Sequence, residues 1–198
     1  MTRDKNRQAC RTATRKPGTS VCLALLCLCL SAHHAAAQDH HEQLTTLPTL
    51  YIETFDRQDV TDHDNYKYCR IVMVNGTDTA RYDSVKIRGR GNTTWGLPKK
   101  PYRIKFPTKQ KPLGMKAGKN WNLIANAIRE SMTTNVIGSR VAEMVETAAA
   151  NHFLPVELYI NGNYRGSYTL TEKVGISNNS IDLANDSNAV LLELDSYY

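Results

Sequence analysis

Between Lys86 and Phe106 the chain reads KIRGRGNTTWGLPKKPYRIKF, gathering Arg88, Arg90, Lys99, Lys100, Arg103 and Lys105 around glycines at 89, 91 and 96. Guanidinium groups fork onto phosphate or carboxylate oxygens, and a glycine has no Cβ to hold an anion off its backbone amide. The chemistry implied is anion binding. Arg88 and Arg90 have the parity opposite to Gly89, so both project from one face if the strand continues that far. Asn92, Thr93 and Thr94 are turn formers that shape the loop. Trp95 and Trp121 either stack on a base or sit in the core. The alternative to an anion site is a solvated hairpin loop whose charges face water.

Alternation decides which elements hold this loop. Val85 and Ile87 before it, and Tyr102, Ile104 and Phe106 after it, alternate with polar residues as half-buried strands do. Further strands are expected at Leu47 to Glu53, Tyr68 to Val74, Trp121 to Ala125, Val156 to Ile160, Tyr164 to Leu170 and Ala189 to Leu194, with hairpin turns at Asn75-Gly76 and Asn161-Gly162. From about Arg129 to Thr147 the apolar residues Met132, Val136, Ile137, Val141, Met144 and Val145 recur at spacings near three and four, which predicts the main helix. About eight strands and one helix give an α+β expectation: a mostly antiparallel sheet with that helix packed across one face.

The same residues carry a family resemblance. RGRGNTTWGLPKKPYRIKF followed by KNWNLIAN, then PVELYINGNYRGSYTLTEKV from Pro155 to Val174 and VLLELD from Val190 to Asp195, resembles the signature of the CotH family, secreted atypical protein kinases first known from spore coats. Order and spacing agree over about Tyr82 to Asp195. The resemblance implies a kinase-like amino-terminal lobe, ATP and Mg²⁺ or Mn²⁺ as cofactors, and a protein substrate. In that order of elements Arg88, Gly89, Arg90 and Gly91 form the nucleotide loop, Lys105 meets the α- and β-phosphates, and Glu143 or Glu130 on the helix orients the lysine. Glu172, Lys173, Glu193 and Asp195 stand in family-like segments and are equally readable as structural ion pairs. The resemblance also places the metal-binding and catalytic aspartates downstream of VLLELD, so no catalytic residue or metal ligand is assigned to Asp182, Asp186 or Asp195. The expectation is a partial kinase domain over 47–198, lacking the carboxy-terminal lobe and inactive alone. A surface-associated module recognising an anionic polymer or a protein partner is the competing class.

The N-terminus reads as a secretory signal peptide over 1–37. Arg3, Lys5, Arg7, Arg11, Arg15 and Lys16 precede an apolar run from Val21 to Leu30, and Ala35-Ala36-Ala37 offers cleavage before Gln38. The run is shorter than the roughly 20 residues a membrane-spanning helix needs, so a secreted chain is expected. Residues 38–46 read as a flexible leader. Of 25 basic and 19 acidic residues, cleavage removes six and one, leaving 19 against 18. A mature chain so nearly neutral argues against nucleic acid as a partner, and any anion binding rests on local clustering. Of five cysteines only Cys69 lies beyond the signal, which excludes an internal disulfide and a cysteine zinc site. His40-His41 has no further ligands, and Asp56, Asp59, Asp62 and Asp64 lack the glycine and glutamate of a calcium-binding EF-hand loop.

Overall fold

The structure, a computed structural model, describes residues 41–128, 131–147, 149–183, 188 and 190–192. The expected signal peptide, Glu130, Asp186, Glu193 and Asp195 lie outside the described residues, as do Ala189 and Leu194 of the strand expected at Ala189 to Leu194, whose described residues 190–192 are not in a strand. Among the described residues there are seven strands: β1 (Thr49–Thr54), β2 (Lys67–Asn75), β3 (Asp78–Gly89), β4 (Tyr102–Gln110), β5 (Gly118–Ile124), β6 (Phe153–Ile160) and β7 (Asn163–Glu172). One helix, α1 (Thr134–Met144), lies between β5 and β6.

The strands expected for β1 to β7 are present, and in the two that flank the basic loop the alternation is real. In β3 the side chains of Val85 and Ile87 are buried while Lys86 and Arg88 are only partly so, and in β4 Tyr102, Ile104 and Phe106 are buried between Arg103 and Lys105. The hairpin signals also hold. Gly76 has φ 62° between β2 and β3, and Asn161 and Gly162 have φ 51° and 78° between β6 and β7, the left-handed backbone that two-residue hairpin turns require.

The fold class is not the expected one. The strands run in the order β1-β2-β3-β4-β5-β7-β6 and close into a barrel. Neighbours are antiparallel except at the closure, where β1 and β6 run parallel, Thr49 to Ile52 beside Glu157 to Ile160. The α+β layer with a helix packed on an open sheet is thus corrected to a mostly β, closed seven-stranded barrel with one short helix. The physical reason is that the apolar side of the sheet folds on itself: Leu50, Ile52, Ile71, Met73, Ile87, Ile104, Phe106, Trp121, Leu123, Val156, Leu158, Ile160, Tyr168 and Leu170 form one interior cluster. At about 1.5–3 kcal/mol for each large apolar side chain fully buried, this interior leaves no apolar sheet face for a helix to cover.

Consequently α1 spans 134–144 rather than 129–147, packs chiefly against β6, and has only Ser139 buried. Its apolar residues do not lie on the sheet: Ile137 is 58% exposed and Met144 82%. Among the described residues no helix is long and apolar enough to cross a membrane.

Candidate functional site

Cross-strand register assembles a cationic face on the outside of the barrel. Lys86 stands opposite Lys105 and Arg88 opposite Arg103 on β3 and β4, and Arg103 and Lys105 stand opposite Asn122 and Asn120 on β5. Like charges directly opposite one another destabilise a sheet, so propensity does not explain this arrangement. Arg103 Nε donates to Asn122 Oδ1 at 3.1 Å. Arg88 lies 5.2 Å from the Tyr66 ring centroid, and its Nη1 donates to the His63 carbonyl. The Nε atoms of Arg88 and Arg90 are buried and have no hydrogen-bond partner. Burial, then the nearby charges of Arg103 and Arg88, pushes the Arg90 pKa below its usual value. These guanidiniums crowd one another around a place that suits a negative charge.

Arg90 and Thr94 also line a cavity of about 250 Å³ with Ile124, Asn126 and Met132. Thr134 and Asn135, the first residues of α1, form its far wall. No acidic side chain occupies that first turn and the Thr133 side chain does not cap it. A helix N-terminus of this kind, facing an arginine across an apolar pocket, favours an anion. Asn135 Nδ2 donates to Asn126 Oδ1 at 2.7 Å, and Asn126 Nδ2 to Thr169 Oγ1 at 2.7 Å, which ties the helix to β7.

The glycines act differently from a pure phosphate cradle. The Gly89 amide donates to the Asp62 carbonyl at 2.8 Å, and a Cβ on Gly89 would come within 2.4 Å of the Trp95 ring. Its missing side chain admits an indole. Gly91 has φ +80° and a Cβ there would meet Thr94 Oγ1 at 2.4 Å, so it sets the turn of the loop. Trp121 is core, 1% exposed, with its indole N–H on the Gly118 carbonyl at 3.2 Å.

Arg88 and Lys105 share the outer face of β3 and β4, with Gly89 on the inner side, and Arg90, just past the end of β3, lines the cavity. Glu143 is set elsewhere: its carboxylate is bound by Arg140 at 2.7 Å on the exposed side of α1. The structure does not pair Glu143 with Lys105. Glu172 does not pair with Lys173 either. It is buried and accepts from the His152 backbone N–H at 3.0 Å, with the ring Nδ1 of His152 at 2.8 Å. Sequence reasoning counted Arg103 among the clustered cations but gave it no place in the nucleotide site, although its parity with Lys105 signalled one. It also missed the helix start, for which no local signal exists.

The residues present fit a phosphate, since two buried guanidinium nitrogens await an acceptor. Among the described residues that line the cavity none is acidic. Among the described residues the grouping of side chains able to hold a cation is Asp62, His63 and Asp64. Asp62 there already accepts from the backbone of Asp64 and Asn65 and from the Asn65 side chain, which holds its pKa down at about 2.

No curated protein matches the chain. The model of one family, described as CotH kinase protein, matches residues 87–197, a span that runs from the cationic face through the pocket, α1 and the closing strands of the barrel. With more than half of its length in that match, the chain belongs to the CotH kinase protein family.

Proposed function

We propose that the chain binds ATP through the outer face of β3 and β4, as part of CotH-type phosphoryl transfer to a protein outside the cell, after a signal peptide is cleaved at Ala37. The observation that carries this reading is the register of cations with the two unpartnered Nε atoms of Arg88 and Arg90. Phosphoryl transfer needs the polyphosphate held in line and its charge offset, with little covalent work for the protein. Arg88 and Arg90 grip phosphate oxygens, Gly89 and Gly91 fix the loop that carries them, and Lys105 extends the positive face along β4. Ile124, Ala127 and Ile128 give the cavity an apolar wall for a base. A divalent ion bound with the nucleotide supplies further charge neutralisation.

Calorimetric titration of residues 38–198 with ATP tests the assignment. Replacing both Arg88 and Arg90 by alanine is expected to weaken binding by about 3–6 kcal/mol in total, at about 1.5–3 for each charge-assisted bond. Arg→Lys at both positions restores only part, because an ammonium lacks the planar fork. Unchanged ATP affinity in a folded double alanine variant would remove this face from the mechanism. A parallel titration with an acidic polysaccharide separates the anionic-polymer reading, which requires the polymer to bind more tightly than ATP.

A further inference from the structure

The basic loop divides its charge. While Arg88, Arg103 and Lys105 lie on the outer face and Arg90 lines the first cavity, Lys99 and Lys100 line a second cavity of about 590 Å³. It lies beside the β6–β7 hairpin, and Arg165, Tyr102, Tyr168 and Trp95 also line it. The two ammoniums are held in place. Lys99 Nζ donates to the Ser167 carbonyl at 2.6 Å and to Met132 Sδ at 3.5 Å, and sits 4.8 Å from the Tyr168 ring centroid. Lys100 Nζ donates to the Trp95 carbonyl at 2.6 Å and sits 5.2 Å from the Trp95 ring. An ammonium has three N–H groups, and these contacts leave some of them for a ligand. Gly166, next to Arg165, has the left-handed φ of +95° that favours glycine, and Lys99 packs beside it: a Cβ there would stand in ordinary contact, 3.5 Å from Lys99 Nζ. Arg165 binds Asp59 through Nη2, while its Nε is buried with no partner.

Three cations against the single acid Asp59 give this lining a net charge of +2. We propose that the cavity is a second anion site, which takes a phosphate monoester carried on a larger molecule. A phosphomonoester carries about −1.5 to −2 charges at neutral pH and three acceptor oxygens, the complement of two ammoniums and a guanidinium Nε. The cavity exceeds one phosphate group, leaving room for the serine, threonine or sugar that bears it. Lysines already fixed by a carbonyl and a ring lose less freedom on binding than free ones. Burial holds the Lys99 pKa below its usual value, with Glu157 opposing, and an arriving anion offsets that desolvation. The inference does not depend on whether the chain transfers phosphate.

Tryptophan fluorescence reads this site, because Trp95 lines it and the other tryptophan, Trp121, is 1% exposed. Purified protein is titrated with a phosphoserine peptide, its unphosphorylated twin, glucose 6-phosphate and polygalacturonate at fixed ionic strength. The expected result is a saturable change with the phosphomonoesters and none with the unphosphorylated peptide. Lys99→Met, which keeps the stem, and Arg165→Gln each weaken it about tenfold, the equivalent of one charged hydrogen bond. Lys109→Gln, a surface charge elsewhere, leaves it unchanged. Tighter binding of the phosphopeptide assigns the source to protein and tighter binding of the sugar phosphate assigns it to saccharide. If Arg165→Gln does not fold, Lys99→Met carries the test. The proposal is overturned by no saturable response to any monoester, by polygalacturonate or the unphosphorylated peptide binding as tightly, or by Lys109→Gln weakening binding as much as Lys99→Met.

Discussion

Gly89 shows how one residue type supports two readings. In the sequence it looks like a phosphate-loop glycine, because it lies between two arginines. In the fold its amide is already bonded to Asp62, and its open side receives Trp95. What stayed legible was the parity of Arg88 and Arg90, since alternation survives in any strand. The use of Gly89 was not legible, because Trp95 reaches it only through the tertiary path of the loop. Gly89→Ala is therefore expected to act on stability: forcing a methyl to within 2.4 Å of the indole is overpacking, which costs about 1–3 kcal/mol. Urea unfolding measures it, and a loss of ATP affinity at unchanged stability would reverse the interpretation. Asn161 is the complementary case. Its Oδ1 accepts the Thr54 N–H at 2.9 Å, its Nδ2 donates to the Gln58 carbonyl at 3.1 Å, and its backbone is left-handed at φ 51°. Asn161→Ala leaves the Thr54 amide unsatisfied and strains the turn, for an expected loss of about 1–3 kcal/mol.

Among the elements, the strands were readable and the helix only in part. Alternation reports burial on one face, which holds whether a sheet is open or closed. Helical periodicity reports that apolar residues share a face, but not that anything covers that face. For α1 the interior is already filled by the barrel, so Ile137, Val141 and Met144 remain exposed. This yields a contrast within one protein. Ile137→Ser is expected to change stability by no more than about 0.5 kcal/mol, as exposed substitutions do. Leu158→Ala, at a position with 0% exposure in β6, is expected to cost about 2–5 kcal/mol. Chemical denaturation of both variants checks the pair, and a large cost at Ile137 would mean that its face is covered in the folded protein.

At the scale of the whole molecule, closure is what the sequence could not express, since the parallel β1–β6 pairing joins segments about a hundred residues apart with no local signal. Closure also buries ionisable groups in one interior, and this gives the molecule an alkaline limit. Burial raises the Cys69 thiol from 9.0 to about 12; outside the interior, on the exposed Tyr164, the hydrogen bond to Glu157, more than burial, raises the hydroxyl from 10.0 to about 12. Burial likewise pushes the Tyr102 and Tyr168 hydroxyls upward. All four are neutral when protonated, so the folded chain holds these protons more tightly than the unfolded chain does. Their stabilisation is complete below the unfolded values of 9.0 for the thiol and 10.0 for the phenols, and is lost as pH rises toward about 12. The urea midpoint should accordingly stay level up to about pH 9 and fall above it, with tyrosinate absorbance rising as the fold is lost. Cys69→Ala removes the group with the lowest unfolded value, so the fall in that variant should begin about one pH unit later. The Cys69 thiol should resist alkylation in the folded chain near pH 9 and react once urea unfolds it. A midpoint that stays level through about pH 11, or rapid alkylation of the folded chain, would show that the interior is open to water and that the barrel is not closed in solution.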